Sequence, residues 1–238
     1  ETAIPYPLDV AAPTLSRTAA AADGVPVLTG LNRRTSEGHW FNSAVLVDEL
    51  GLVTETYDKV HLVPFGEYIP LRIDFIRALA ASTGYGFSSG EAVRAIDTPL
   101  GPTVPLICYE VIFPQHARGV GVRQAYLLQI TNDAWFGGFS GPYQHLDQAR
   151  FRALEQGLPM IRAANTGVSA VIGPYGQVLY SLALGESGYL DAAVPQALPP
   201  SLYSCTGDWP LIIFLLVAIT TLLATRKRNT IANGDASS

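Results

Sequence analysis

The chain has 238 residues, 48% of them apolar and only 15% charged, with a net charge of −5 and a mean hydropathy of +0.23. That balance excludes a disordered, highly charged tail protein and a broad nucleic-acid surface. The length suffices for one large domain or two small ones with a substantial core. Two cysteines, Cys108 and Cys205, are too few for a disulfide scaffold and lack zinc-site spacing.

In chain order, Val25–Gly30 is a short apolar run closed by Gly. Residues 42–47 and 52–57 flank Asp48-Glu49-Leu50-Gly51 and predict a β-hairpin. Ile73, Ile76, Leu79 and Ala80 share one face of a helix expected from about Pro70, and residues 82–90 form a Gly/Ser-rich loop. Residues 104–108 and 126–130 are continuous apolar runs that end in polar residues, the pattern of strands covered on both faces. Tyr109-Glu110 and Thr131-Asn132-Asp133 follow them, and polar groups at strand ends are where α/β sites form. Residues 142–157 predict a helix with Leu146, Ala149 and Leu154 inward, and short strands are expected at 160–164, 168–172 and 178–181. Strands interleaved with helices favour α/β layers over an all-β sandwich.

Residues 209–225 carry no charge and are followed at once by Arg226-Lys227-Arg228 and a polar tail. About 17 apolar residues is the lower limit for crossing a bilayer, and the basic stop favours a membrane anchor over a core helix. The basic cluster places the tail in the cytoplasm and residues 1–208 outside it. The expected organisation is a domain over 1–200, a linker at 201–208, a transmembrane helix at 209–225 and a cytoplasmic tail at 226–238. The chain begins without Met or an export signal, and Glu1-Thr2-Ala3-Ile4-Pro5 reads as the interior of a motif, so a piece of a longer exported protein is expected.

Cys108 is the best nucleophile candidate, although Cys commonly just fills a core. Cys205, in a Ser- and Pro-rich linker, is more simply a spacer thiol. A thiol nucleophile needs a base or a cation beside it. His39, His61, His116 and His145 are available, but none stands in a protease signature and structural roles suit them better. No metal-ligand spacing is present, and no metal or cofactor is expected. Two further stretches are dense in aromatic, Gly and charged residues: Tyr57-Asp58-Lys59-Val60-His61-Leu62-Val63-Pro64-Phe65-Gly66-Glu67 and Asn132-Asp133-Ala134-Trp135-Phe136-Gly137.

Together these segments resemble the nitrilase, or carbon–nitrogen hydrolase, superfamily. Residues 61–68, residues 132–137 and Gly207-Asp208-Trp209-Pro210 narrow the resemblance to its apolipoprotein N-acyltransferase family, over essentially the whole chain. The resemblance implies an αββα sandwich followed by one C-terminal transmembrane helix. It implies a Glu–Lys–Cys triad of Glu1, Lys59 and Cys108, with Glu67, Tyr109 and Glu110 in support. The implied reaction moves an acyl chain from a phospholipid, through a cysteine thioester, to the α-amine of a diacylglyceryl-cysteine on an apolipoprotein. The implied setting is a monomer in the bacterial plasma membrane, multi-pass at full length, with its catalytic domain on the external side. Trp135, Phe136, Phe139 and Tyr143 are either walls of a lipid-binding site or ordinary core. The 71–81 helix and 82–90 loop are candidate lids or bilayer contacts. A membrane-anchored amidase with the same triad is the alternative function, and a catalytically inert binding module a third.

Overall fold

The computed structural model describes residues 1–69, 86–119 and 121–235. The chain divides into two compact units, residues 1–199 and residues 200–238.

The first unit is built on two sheets. The smaller comprises β1 (Val27–Arg34), β2 (Trp40–Val47) and β3 (Val53–Asp58), all antiparallel in that order. The expected hairpin is thus β2–β3, and the short run ending at Gly30 is the first half of a longer strand. α1 (Ala12–Ala21), which the periodicity did not single out, lies against this sheet. Its Leu15 packs with Ile4, Ala11, Leu31, Val45 and Val47, all buried.

A short hairpin, β4 (Ile96–Thr98) with β5 (Gly101–Thr103), precedes the second sheet. That sheet has the order β10-β9-β8-β7-β6. β6 (Pro105–Ile107), β7 (Leu127–Asn132) and β8 (Met160–Asn165) run parallel, β9 (Ser169–Ile172) pairs antiparallel with β8, and β10 (Val178–Leu182) antiparallel with β9. β6 and β7 are the two continuous apolar runs, and their burial explains the lack of alternation: β6 is buried throughout and β7 as far as Thr131. α2 (Pro114–Arg118) and α3 (Gly141–Gln156) supply Ala117, Ala149 and Ala153 to a core with Leu106, Leu127, Met160 and Ile172. Ala44 and Tyr57 of the small sheet meet Ile107, Cys108 and Ile130 of the large one, so the two sheets stack and helices cover their outer faces.

α3 starts at a Pro and ends at Gly157 in the left-handed conformation, φ +64°, as its signals predict. One side-chain expectation is corrected. Leu154 is 47% exposed, and the inward stripe is His145, Ala149, Arg152, Ala153 and Gln156. Leu154 lies five residues beyond Ala149, about 140° further round the helix, and so faces outward. The helix expected at 71–81 lies outside the described residues, as does the first part of the 82–90 loop.

The second unit holds α4 (Leu202–Thr206) and α5 (Trp209–Asp235). Trp209–Arg226 is long and apolar enough to cross a membrane, at 18 residues and a mean hydropathy of 1.9, and none of it is buried. A helix with apolar side chains on every face, left uncovered, is unlike the one-sided stripe of a soluble surface helix.

Candidate active site

Lys59 follows β3 directly. Its backbone N–H donates to the Asn42 carbonyl of β2 at 2.8 Å, and its own carbonyl accepts from Gly90 N at 2.8 Å, so the residue is held on both sides. The side chain is fully buried and its ammonium points at two carboxylates, Glu67 Oε1 at 2.9 Å and Glu1 Oε1 at 3.7 Å. Burial alone drags a lysine down, but Glu1 and Glu67, with Cys108 beyond them, outweigh it and hold Lys59 above its ordinary value. A charge pair at that longer distance attracts by about 4 kcal/mol at an effective dielectric of about 20, so two such partners can offset the several kcal/mol lost on burial.

Glu1 is gripped at both oxygens. Oε1 accepts from Asn42 Nδ2 at 2.6 Å and Oε2 from the Asn132 backbone N–H at 3.0 Å. The segment after it runs beside β1, with Ile4 N donating to Gly30 O at 3.1 Å. A Cβ at Gly30 would lie 2.9 Å from Glu1 Cα, so only glycine lets Glu1 come this close. Glu67 accepts from Lys59, from Val63 N at 2.8 Å and from Asn42 Nδ2 at 3.1 Å. Asn42 thus stands between two like-charged groups as a neutral donor. Its Oδ1 is buried and, among the described residues, has no hydrogen-bond partner.

Cys108 begins a 3₁₀ turn (Cys108–Ile112) at the end of β6 and has φ +51°, a left-handed conformation that a non-glycine residue holds only under constraint. The residue is 7% exposed. Burial, then the charge of Glu1, push its thiol up to about 11, opposed by Lys59 and a hydrogen bond with Thr131. The sulfur therefore rests as a thiol at neutral pH and needs a base at the moment of attack.

Glu110, two residues on in the same turn, fastens this elbow to the lysine segment. Its Oε1 accepts from Val60 N at 2.7 Å, His61 N at 3.1 Å and Tyr57 Oη at 3.1 Å, and its Oε2 from Ile107 N at 2.9 Å. Burial raises Glu110 to about 7, against the pull of the Ile107, His61 and Val60 amides and of Lys59. Tyr109 is half-buried and stacks edge-on with Phe113, 5.2 Å between ring centres. The structure thus brings Glu1, Lys59, Cys108, Glu67 and Glu110 into one continuous cluster. Trp135, Phe139 and Tyr143 do not join it and are not core either: they stand in solvent, Trp135 and Phe139 at 83% and 86% exposure. Phe136 is turned partly inward, its ring 5.2 Å from that of His145. Cys205 is exposed, in the second unit.

Four contributors were given no place in the site by the sequence. Asn42 sits in a plain strand pattern that gives it no mark. His145, Gln129 and Arg162 lie beneath Cys108 with Asp133. The signal for that group was Arg162: a charge inside the apolar run 160–164 must be buried, and a buried Arg must find an acid.

The sequence model of the carbon–nitrogen hydrolase family matches residues 3–199, all of the two-sheet unit except Glu1 and Thr2. The chain belongs to that family. Among solved structures, a carbon–nitrogen hydrolase from Helicobacter pylori shares its fold, with a TM-score of 0.56 at 20% identity over 74% of this chain and 64% of that one. An amidase from Nesterenkonia, with covalent addition of the acetamide moiety of fluoroacetamide at its active-site cysteine, aligns with a TM-score of 0.52 at 26% identity over 72% and 63%. Among curated sequences, the apolipoprotein N-acyltransferases of Bradyrhizobium diazoefficiens and Brucella suis are 45% and 40% identical over 86% and 92% of the chain. The chain spans only 40% and 43% of those two proteins' length.

Proposed function

We propose that this carbon–nitrogen hydrolase domain catalyses acyl transfer from a phospholipid ester to the α-amine of a diacylglyceryl-cysteine at the N-terminus of an apolipoprotein. The observation that carries the reading is a buried Lys59 ammonium shared by Glu1 and Glu67 beside a strained, unionised Cys108. The similarity to apolipoprotein N-acyltransferases supports transfer to an amine rather than hydrolysis of an amide.

Glu1 takes the Cys108 proton as the sulfur attacks the ester carbonyl, and the oxygen that becomes negative is met by Lys59 Nζ and the Tyr109 backbone N–H. The carbon–oxygen bond breaks, Glu1 returns the proton to the departing lysophospholipid, and an acyl thioester remains on Cys108. The acceptor amine then attacks that thioester, its surplus proton passes to Glu1, and Glu1 hands it to the sulfur as the carbon–sulfur bond breaks, which restores the thiol and the Glu1 carboxylate. Glu67 fixes Lys59, and Glu110 with Tyr109 fixes the elbow. Trp135, Phe136, Phe139 and Tyr143 offer exposed apolar side chains to acyl chains and the bilayer surface, and covering them there would keep water from the thioester. α5 is the anchor, with Arg226 on its cytoplasmic side and the catalytic unit on the external face of a bacterial plasma membrane.

The test is thioester trapping in detergent with an acyl-labelled phospholipid. One hydroxylamine-labile acyl group on Cys108, retained in Cys205→Ala and lost in Cys108→Ala, is the expected result. Release of free fatty acid or ammonia with no adduct and no amine acylation would replace the reading with that of a hydrolase.

A further inference from the structure

Behind the nucleophile, away from Lys59, a second polar cluster is entirely buried: Gln129, Thr131, Asp133, His145 and Arg162. Asp133 accepts from Thr131 Oγ1 at 3.0 Å and from Arg162 Nη2 at 2.5 Å, and its Oδ1 faces His145 Nδ1 at 2.8 Å. Arg162 also holds Gln129 Oε1 and the Val168 carbonyl, the latter at 3.1 Å, which fixes the Gln129 amide with its Nε2 outward. The other end of the cluster is a triangle. His145 Nε2, Gln129 Nε2 and the Cys108 carbonyl oxygen lie 3.1, 3.2 and 3.4 Å apart. In the tautomer that donates Nδ1–H to the Asp133 carboxylate, His145 Nε2 accepts from Gln129 Nε2, whose second N–H donates to the Cys108 carbonyl.

The same cluster reaches the base. Asp133 follows Asn132, whose backbone N–H holds Glu1 Oε2 at 3.0 Å and whose side chain caps the turn by accepting from Ala134 N at 3.2 Å. Fixing the Asp133 carboxylate therefore fixes the peptide that points at Glu1. Opposite it, a Cβ on Gly167 would lie 2.7 Å from Asp133 Cβ and Cγ, so no larger residue fits while the carboxylate stays in place.

We infer that Asp133, His145, Gln129 and Arg162 are positioning residues that set the nucleophile and its base relative to one another. They hold Cys108 in its left-handed conformation through its carbonyl, and Glu1 through the Asn132 peptide. The inference rests on the reading of Cys108 as nucleophile and Glu1 as base. None of the four touches a reacting atom. Their effect is on distance, and a misplacement of about 1 Å can cost about 100-fold in rate.

The test uses the intact protein in detergent, in a Cys205→Ala background, with two readouts: alkylation of Cys108 by iodoacetamide, and thioester formation from phospholipid. An Asn side chain places its amide where His145 has Nδ1, and a Gln side chain places it where His145 has Nε2. His145→Asn therefore removes the acceptor that aims the Gln129 amide at the Cys108 carbonyl, whereas His145→Gln keeps one there. His145→Asn should slow alkylation and lower kcat for thioester formation by about 10- to 100-fold, with KM for phospholipid within about 3-fold of wild type, and His145→Gln should restore most of the loss. Gly167→Ala, which removes no polar atom, should reproduce the His145→Asn defect by pushing the Asp133 carboxylate aside, and it decides the matter if His145→Asn does not fold. Wild-type rates in His145→Asn and Gly167→Ala, or an equal loss in His145→Gln and His145→Asn, would overturn the inference. If alkylation follows the cluster as described while wild type accepts no acyl group from phospholipid, the positioning role stands and acyl transfer fails.

Discussion

Replacing Glu1 with Gln separates two ways in which Cys108 could react. Burial and the Glu1 charge lift the thiol from about 9 to about 11, so at pH 8 about one molecule in a thousand carries a free thiolate. Gln at position 1 removes that charge and lets the thiol fall toward its ordinary value, raising the thiolate to at most about one in ten. A cysteine that reacts only as a preformed thiolate would then be alkylated up to about 100-fold faster in the variant. A cysteine whose proton is taken by Glu1 during attack loses its base instead, a loss of about 100- to 10,000-fold. We expect the second result. The assay is the rate of iodoacetamide incorporation at Cys108 by mass spectrometry, from pH 6 to 10, with Cys205 replaced by Ala because it is exposed. The Glu1→Gln rate should lie below wild type at pH 8 and rise about tenfold per pH unit while the thiol remains protonated. Faster alkylation of Glu1→Gln at pH 8 would refute Glu1 as the base.

Lys59→Met leaves Glu1 and Glu67 buried against one another with only Asn42 between them, and should cost about 3–5 kcal/mol in urea unfolding as well as abolishing the thioester. Glu110 is raised from about 4.5 to about 7 in the folded state, so its contribution is fully present below about pH 4.5 and is lost as pH rises through 7. Wild-type stability should therefore fall by about 3 kcal/mol relative to Glu110→Gln between pH 4 and pH 8, and an unchanged difference between the two would contradict the burial argument. Leu106→Ala, within the core of the large sheet, should cost about 2–5 kcal/mol, whereas Leu154→Lys on the outward face of α3 should stay within about 0.5 kcal/mol by thermal melting. Trp135→Ser and Phe139→Ser, at exposed positions, should leave melting unchanged while weakening acyl transfer from vesicles several-fold; equal loss with monomeric short-chain donors would point to the chemistry instead.

Local chemistry was enough for much of this protein. The uncharged run from Trp209 and the basic residues at its end define an apolar helix, because its length and composition require nothing from the rest of the chain. The hairpin over 42–57, the buried strands β6 and β7, and α3 with its early Pro and its Gly end were legible for the same reason: period and punctuation are short-range properties. Lys59, Glu67 and Cys108 stood out because family motifs are also written in consecutive residues. Tertiary structure decided what depends on separation in sequence. That Glu1 and Asn132, 131 residues apart, share a hydrogen bond follows from stacking two sheets, and no local pattern encodes it. Asn42 looks like any strand polar residue until Glu1 and Glu67 both arrive at its amide. Leu154 was misplaced because an apolar residue on a helix names no face by itself; the inward face of α3 carries His145 and Arg152, whose partners come from other elements. Buried polar groups need partners, and in this fold those partners come from distant strands, so only the assembled sheets reveal why they are tolerated.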